Sequence, residues 1–490
     1  MLRYSRMLVV GLGLCWTLGL MVSQTEGAER PNILWLIAED FGPDLGCYGT
    51  PVVQTPHLDQ LAREGVRFTH AYTTTAVCST SRSSFMTGMY STTIGTHNHR
   101  SHRGDNYRLP EGVETLPQRL RKAGYFTANI QQLPPALGFK GTGKTDWNFT
   151  VEGKPFDGNN WNELKSHQPF YAQVNFSETH RGGAWDNAHK QIEQTADPAK
   201  VVLPPYYPDH EITRRDWAQY LNTAMSLDKK IGAILEQLQQ DGLAENTIVV
   251  FFGDHGRATV RAKQWPYESG LHIPMIIRWP SQVPAPKGYA SGTVDEQLVM
   301  SIDLSATTID WAGLPHPEIM QGQVFWGDRA AAPREYVFGG RDRGDETVDR
   351  IRTVRDARYR YLRNYYPERP FSQINRYKEA TYPVMKLMHE LHESGELAKL
   401  NPHAERLMSA TRPREELYDL EADPHELTNL ANDPQHRETL LRLREVLEEW
   451  VETSNDQGRF PEPASIIEEY ELSSRKSYAK KLEGLKSKVK

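Results

Sequence analysis

Three observations predict an α/β protein in which parallel strands lie buried between helices, followed by a smaller α+β unit. Continuous apolar runs recur at 32–38 (NILWLIA), 170–177 (FYAQVNFS) and 247–253 (TIVVFFG), the pattern of strands covered on both faces. A helical pattern leads into the third run, as a crossover connection requires. Beyond about residue 340 the texture changes to alternating segments and then one amphipathic helix.

In chain order, the first strand ends in Glu39 and Asp40. PHLDQLAREGVRF (56–68) reads as a short helix, then Gly65, then a strand leading towards Cys78. The 170–177 run leads to His180. Leu221, Ala224, Leu227, Ile231, Ile234 and Leu238 recur at helical spacing, with Gly242 as the stop before the strand that ends in Asp254 and His255. RIRTVRDARYRYLRNYY and EELYDL alternate as strands do, and PQHRETLLRLREVLEEW is helical. After Leu472, Arg475, Lys476, Lys480, Lys481, Lys486, Lys488 and Lys490 appear with little apolar periodicity, which predicts a solvated or frayed basic tail.

The organisation that follows is a signal peptide at 1–28, a main domain at 29–340, an α+β domain at 341–472 and a tail at 473–490. Arg3 and Arg6 precede the apolar stretch Met7 to Val22, which then turns small and polar, as in a secretory leader, and the run is shorter than the ~20 residues that span a bilayer. A secreted or periplasmic protein is expected, with no stable membrane insertion after cleavage. Removing Arg3, Arg6 and Glu26 takes the net charge from -6 to -7, which gives no reason to expect a nucleic-acid partner. A hydrophobic content of 38% and a charged content of 24% are those of a globular chain. Cys47 and Cys78 are left in the mature protein, as one disulfide or none.

Two acidic pairs at two strand ends, Glu39 with Asp40 and Asp254 with His255, would repel one another without a cation, and an oxygen-rich set suits a hard ion such as calcium or magnesium. Lys144 in GTGKTDWNF and Lys263 in RAKQWPYESG offer cations, and His180 titrates nearest neutrality. Cations, a histidine and a metal together describe a pocket for a tetrahedral oxyanion.

The succession PNILWLIAED, LGCYG, CSTSR, GK, VNFSETH, FFGDHG, YESG, IPMIIRWP and EELYDLEADPHELTNLA resembles the type I formylglycine-dependent sulfatases, over roughly residues 30–450. The resemblance implies the alkaline phosphatase-like fold: a large mixed, mainly parallel sheet between helices, with a smaller C-terminal domain on an antiparallel sheet. It implies that Cys78 is oxidised to formylglycine (3-oxoalanine) by a formylglycine-generating maturation enzyme and that its hydrate is the nucleophile. Arg82 then holds the nucleophile, and one calcium binds Glu39, Asp40, Asp254, His255 and residue 78. His180 and Lys263 bind sulfate and assist the leaving group, while Lys144 neutralises charge. Thr80 stands where the family's modification signal commonly has proline, Glu39 where it has aspartate, and Asp146 where many members have the histidine credited with expelling sulfate. Either Asp146 takes that step, or a histidine of IGTHNHRSHR does, or turnover is altered.

The same segment supplies His97, His99, Arg100, His102 and Arg103 as candidates for binding a sulfated carbohydrate, and the insertion around Arg181 to Lys190 with Trp185 and the stretch from Tyr366 to Arg412 are further candidates for selectivity. RDRGDETVDRIRTVRDARYRYLRNY leans towards the branch that includes heparan sulfamidases. The competing readings are a phosphoester or phosphonate hydrolase of the same superfamily and a non-catalytic glycan-binding protein with unconverted Cys78.

Overall fold

The computed structural model describes residues 30–488, with side chains through residue 480, so the expected signal peptide lies outside the described residues. An eight-stranded sheet runs in the order Gly158–Asn160, Phe126–Gln132, Phe170–Phe176, Asn32–Ala38, Thr247–Gly253, Met275–Arg278, Val66–Phe68, Thr293–Asp295. The first five strands are parallel; Met275–Arg278 runs against both its neighbours. The sheet is therefore mixed and mainly parallel.

Asn32–Ala38 shows why such strands are apolar throughout. Leu34, Leu36 and Ala38 face one core with Leu221, Leu227 and Ile231 of the helix Glu211–Gln240. Ile33, Trp35 and Ile37 face another, with Phe85 of the helix Cys78–Thr87 and Leu304 of the helix Ser301–Trp311. Alternate residues enter opposite cores, so neither set can be polar. The Glu211–Gln240 helix begins a full ten residues ahead of the pattern's first leucine, and Gly242 follows it at φ +72°.

The smaller sheet joins Val337–Arg341, Ile351–Arg355, Tyr359–Asn364 and Glu415–Asp419, antiparallel and in chain order. Leu440, Leu443 and Leu447 of the helix Arg437–Thr453 pack against it. Its first strand starts at Val337, slightly ahead of the expected boundary at 341. Asp456, just past that helix, accepts from Arg352 Nε at 2.7 Å and Nη2 at 2.9 Å, tying helix to sheet.

The segment after 472 differs from expectation. One helix, Ala464–Lys488, runs through the position where a frayed tail was expected to begin. Its half-buried positions include Ile466, Tyr470, Ser474 and Tyr478, spaced by four, so the buried stripe is mostly polar and aromatic. An apolar periodicity therefore could not reveal it. Among the described residues no helix is long and apolar enough to cross a membrane.

Candidate active site

The register pairs Ala38 with Gly253, which sets Glu39–Asp40 beside Asp254–His255 at the carboxyl edge of the sheet. Asp254 N–H donates to the Ala38 carbonyl at 2.9 Å, and Asp40 N–H donates to Asp254 Oδ1 at 2.8 Å. Asp40 takes a left-handed backbone, φ +51°, as do Arg100 (+55°), Asp146 (+50°) and Gln264 (+71°) around the same site. Each costs an L residue roughly 1–2 kcal/mol, strain that functional sites commonly hold.

Cys78 opens a helix that lies wholly inside the protein, and the hydroxyl-rich sequence CSTSRSSFMT explains how. Small side chains let the helix sink in, and each hydroxyl finds a partner. Ser83, Ser84 and Thr87 donate to carbonyls of the preceding turn at 2.7, 3.0 and 2.7 Å, Ser81 donates to the Asp254 carbonyl, and Ser79 accepts from Arg100 N–H at 2.8 Å. Gly88 at φ +69° ends the helix. Thr80 sits in its first turn, where the N–H has no intrahelical acceptor, so threonine and proline both suit the position.

Cys78 Sγ lies 3.4 Å from Asp40 Oδ1, 3.3 Å from His255 Nε2 and 3.6 Å from Lys263 Nζ. One donor atom each from Asp40, Cys78, Asp254 and His255 falls within 4.8 Å of the others, all buried. Both Cys47 and Cys78 are free thiols, so the disulfide alternative is not realised.

The surrounding cations are distributed one to a carboxylate. Arg82 donates through Nε to Asp254 Oδ2 at 3.0 Å and through Nη1 to Asn175 Oδ1 at 2.7 Å. Lys144 Nζ reaches Glu39 Oε2 at 3.0 Å, and Lys263 Nζ reaches Asp40 Oδ2 at 2.6 Å. Glu39, expected among the metal donors, thus turns to Lys144 and, at 4.0 Å, to Arg82, outside the four-donor cluster.

These three cations balance three carboxylates before His255 is counted. Burial opposes charge on His255, yet Asp254 and Asp40 raise it to about 10, so the cluster itself attracts positive charge. Two buried carboxylate donors at this potential fit a hard divalent cation. Adding one leaves an excess of positive charge, suited to an anionic substrate.

His180, Lys263 and Cys78 line one cavity of about 230 Å³ with His99, Arg100 and Asp345. Burial and then Lys263 lower His180 to about 4, whereas Lys263 is raised well above its ordinary value by Asp40 despite burial. Asp146 is drawn below the usual carboxylate range by Lys144 and Arg100 against the effect of burial.

Of the five loop residues expected to bind substrate, two reach this cavity. His99 stands against Asp345, Nδ1 to Oδ1 at 3.1 Å, and Arg100 is beside it. The others turn away. His97 lies in a small space with Thr80, Gln264 and Asp342; His102 stacks on Tyr107 with ring centroids 3.9 Å apart; Arg103 grips Asp146 Oδ1 at 2.6 Å. Arg376 and Tyr377, from the Tyr366 to Arg412 stretch, complete the wall. Sequence reasoning missed Asn175 and Asp345; only the polar Asn175 inside an apolar strand left a signal.

A buried helix start carrying Cys78, a donor cluster that could hold a divalent cation and a cationic cavity at the carboxyl edge of the sheet are the parts that a hydrolase of tetrahedral oxyanion esters needs. Comparison with known proteins narrows this. Residues 31–314 match the Sulfatase family model, and residues 253–399 match that of the N-sulphoglucosamine sulphohydrolase C-terminal region. An ulvan-active sulfatase of Formosa agariphila is 35% identical, the alignment covering 89% of this chain and 77% of that protein. Human N-sulphoglucosamine sulphohydrolase is 27% identical, with 90% and 94% covered. A solved structure in complex with its substrate D-glucosamine-2-N,6-O-disulfate superposes with a TM-score of 0.61 at 19% identity, covering 87% of this chain and 99% of that one. The chain belongs to the sulfatase family and is a sulfuric ester hydrolase with the alkaline phosphatase-like fold.

Proposed function

We propose that the protein removes a sulfate ester or sulfamate group from a sulfated carbohydrate, using formylglycine at residue 78 and one calcium ion. The observation that carries this is the position of Cys78, first in a buried helix, with its sulfur within reach of Asp40, His255 and Lys263. In the mature enzyme that sulfur stands in for an oxygen of the formylglycine hydrate, the group that supplies the nucleophile. Calcium held by Asp40, Asp254, His255 and residue 78 would supply charge neutralisation for that oxygen and for sulfate. The first turn of the helix favours negative charge at the same point.

The remaining work falls to this chain's side chains. Arg82 fixes Asp254, and Lys144 fixes Glu39. Lys263 and His180 receive the sulfate oxygens; burial and then the Lys263 ammonium lower His180, and an anion between them offsets the second of these, favouring proton donation to the leaving oxygen or nitrogen. Asp146, held ionised by its cations, is a weak base and serves to orient Lys144 and Arg100. His99, which stands at ion-pair distance from Asp345 and lines the cavity with residue 78, is the group suited to take the hydrate's proton.

The sugar belongs to the class the relatives' names describe, either an ulvan-like polysaccharide or an N-sulfated glucosamine glycan. A secreted or periplasmic enzyme, matured by a formylglycine-generating partner, meets such polymers. Mass spectrometry of the residue-78 peptide from the native host, followed by sulfate release from ulvan and from N-sulfated glucosamine oligosaccharides, tests the reading. Aldehyde or hydrate mass with release that is lost in Cys78→Ala supports it. Unmodified cysteine and no release overturn it.

A further inference from the structure

We infer that the helix Ala464–Lys488 is the roof of the active-site cavity and restricts the site to a sulfated sugar at a chain end; this rests on the reading of the protein as a carbohydrate sulfatase. Tyr470, Ser474 and Tyr478 lie on one face of the helix and line the same cavity as Cys78, His180 and Lys263. Ser473 and Ser477 border it as well, so the roof presents hydroxyl groups opposite a cationic floor. That pairing matches a sugar carrying an anionic group. A polysaccharide threading across the site would need the space the helix occupies, whereas a terminal sugar needs only the cavity beneath it.

The roof is latched rather than built into the core. Through residue 480, its described side chains are half-buried or exposed, and none is fully buried. Tyr470 Oη donates to the Arg100 carbonyl, the Arg343 guanidinium lies 3.8 Å from the Tyr470 ring centroid, and Glu471 stands 3.8 Å from Arg376. Just ahead of the helix, Glu462 Oε1 accepts from Arg343 Nη2 at 3.0 Å. The latch partners are parts of the cavity wall. Arg343 also donates to the carbonyls of His99 at 3.2 Å and Asp345 at 2.7 Å, and Arg376 lines the cavity itself. Few apolar contacts and polar attachment at the edge are the marks of an element that opens locally without global unfolding.

The test uses the full-length protein made where residue 78 stays a thiol, with each cysteine followed by peptide mass spectrometry. Burial pushes the Cys47 thiol up to about 12, so Cys47 reacts slowly. N-ethylmaleimide, small enough to enter the cavity that Cys78 lines, should label that thiol at a measurable rate, and a polyethylene-glycol maleimide of the same chemistry should label it far more slowly. In Tyr470→Ala/Glu471→Ala the bulky reagent should gain about tenfold while the small one is unchanged, a population shift equal to ~1.4 kcal/mol of lost latch. Equal relative labelling in wild type and the double variant overturns the roof.

On glycans, the converted wild type should free sulfate from oligosaccharides sulfated on the terminal sugar and spare those sulfated only on interior sugars, and the double variant should release both. Interior release by the wild type at the terminal rate also overturns it. The expected labelling pattern without release from any glycan keeps the roof and counts against the sulfatase reading alone.

Discussion

Replacing Asp254 by asparagine removes a charge and leaves the shape of the side chain unchanged. Both carboxylate oxygens are acceptors, Oδ1 for Asp40 N–H at 2.8 Å and Oδ2 for Arg82 Nε at 3.0 Å. An amide offers one acceptor and one donor, so one of those N–H groups must face another. Arg82 would keep Asn175 and a carboxylate no nearer than Glu39 at 4.0 Å. The opposing effect is relief of repulsion between Asp254 and Asp40. Attraction wins: burial raises the Asp254 pKa and so does Asp40, yet His255 and Arg82 hold it below the ordinary value. Breaking a buried pair from one side costs about 3–5 kcal/mol, a large part of the 5–15 kcal/mol that typical domains possess. Urea unfolding in a chelator, followed by tryptophan fluorescence, measures it without any contribution from bound metal. A variant within about 0.5 kcal/mol of wild type, the range of neutral surface changes, would refute the charge pairing as described.

Calcium at about a hundred times its dissociation constant should stabilise the wild type by ~2.7 kcal/mol and Asp254→Asn far less; equal shifts in thermal scans of the two proteins would place the ion elsewhere. His99→Asn should lower kcat by about 10²–10⁴ with KM little changed, whereas Asp146→Asn should act mainly on KM through Arg100 and Lys144; sulfate-release kinetics with the reverse pattern would return the base to Asp146. Burial would raise the Asp456 pKa, but Arg352 draws it from 3.8 to about 2, so its contribution is full above the unfolded value and is lost as pH falls from there through about 2. Asp456→Asn should therefore remove about 2 kcal/mol at neutral pH and flatten the acid limb of stability. Unfolding curves that remain parallel from pH 6 to pH 2 would contradict this.

Strands buried on two faces leave a signature that survives in one dimension, because such a run is mostly apolar and a cluster of charged residues marks its end. Glu39, Asp40, Asp254 and His255 were legible for that reason, and the register between Asn32–Ala38 and Thr247–Gly253 brings them together without help from any loop. The loop at 97–103 is different. Its composition marks five candidates, and the path of the loop brings only His99 and Arg100 to the cavity wall.

Asp345 was hidden for another reason. It belongs to the C-terminal part, and it reaches the cavity because the Val337–Arg341 strand runs up to the segment just ahead of the Cys78 helix, where Thr75 bridges to Gly340. The helix over the cavity was the least legible of all. Its buried stripe spends tyrosine and serine on a polar space, so its pattern resembles that of a solvated segment. An element that must cover a sugar site while meeting water on its other face has little reason to be apolar on either, and hydropathy carries no mark of its position.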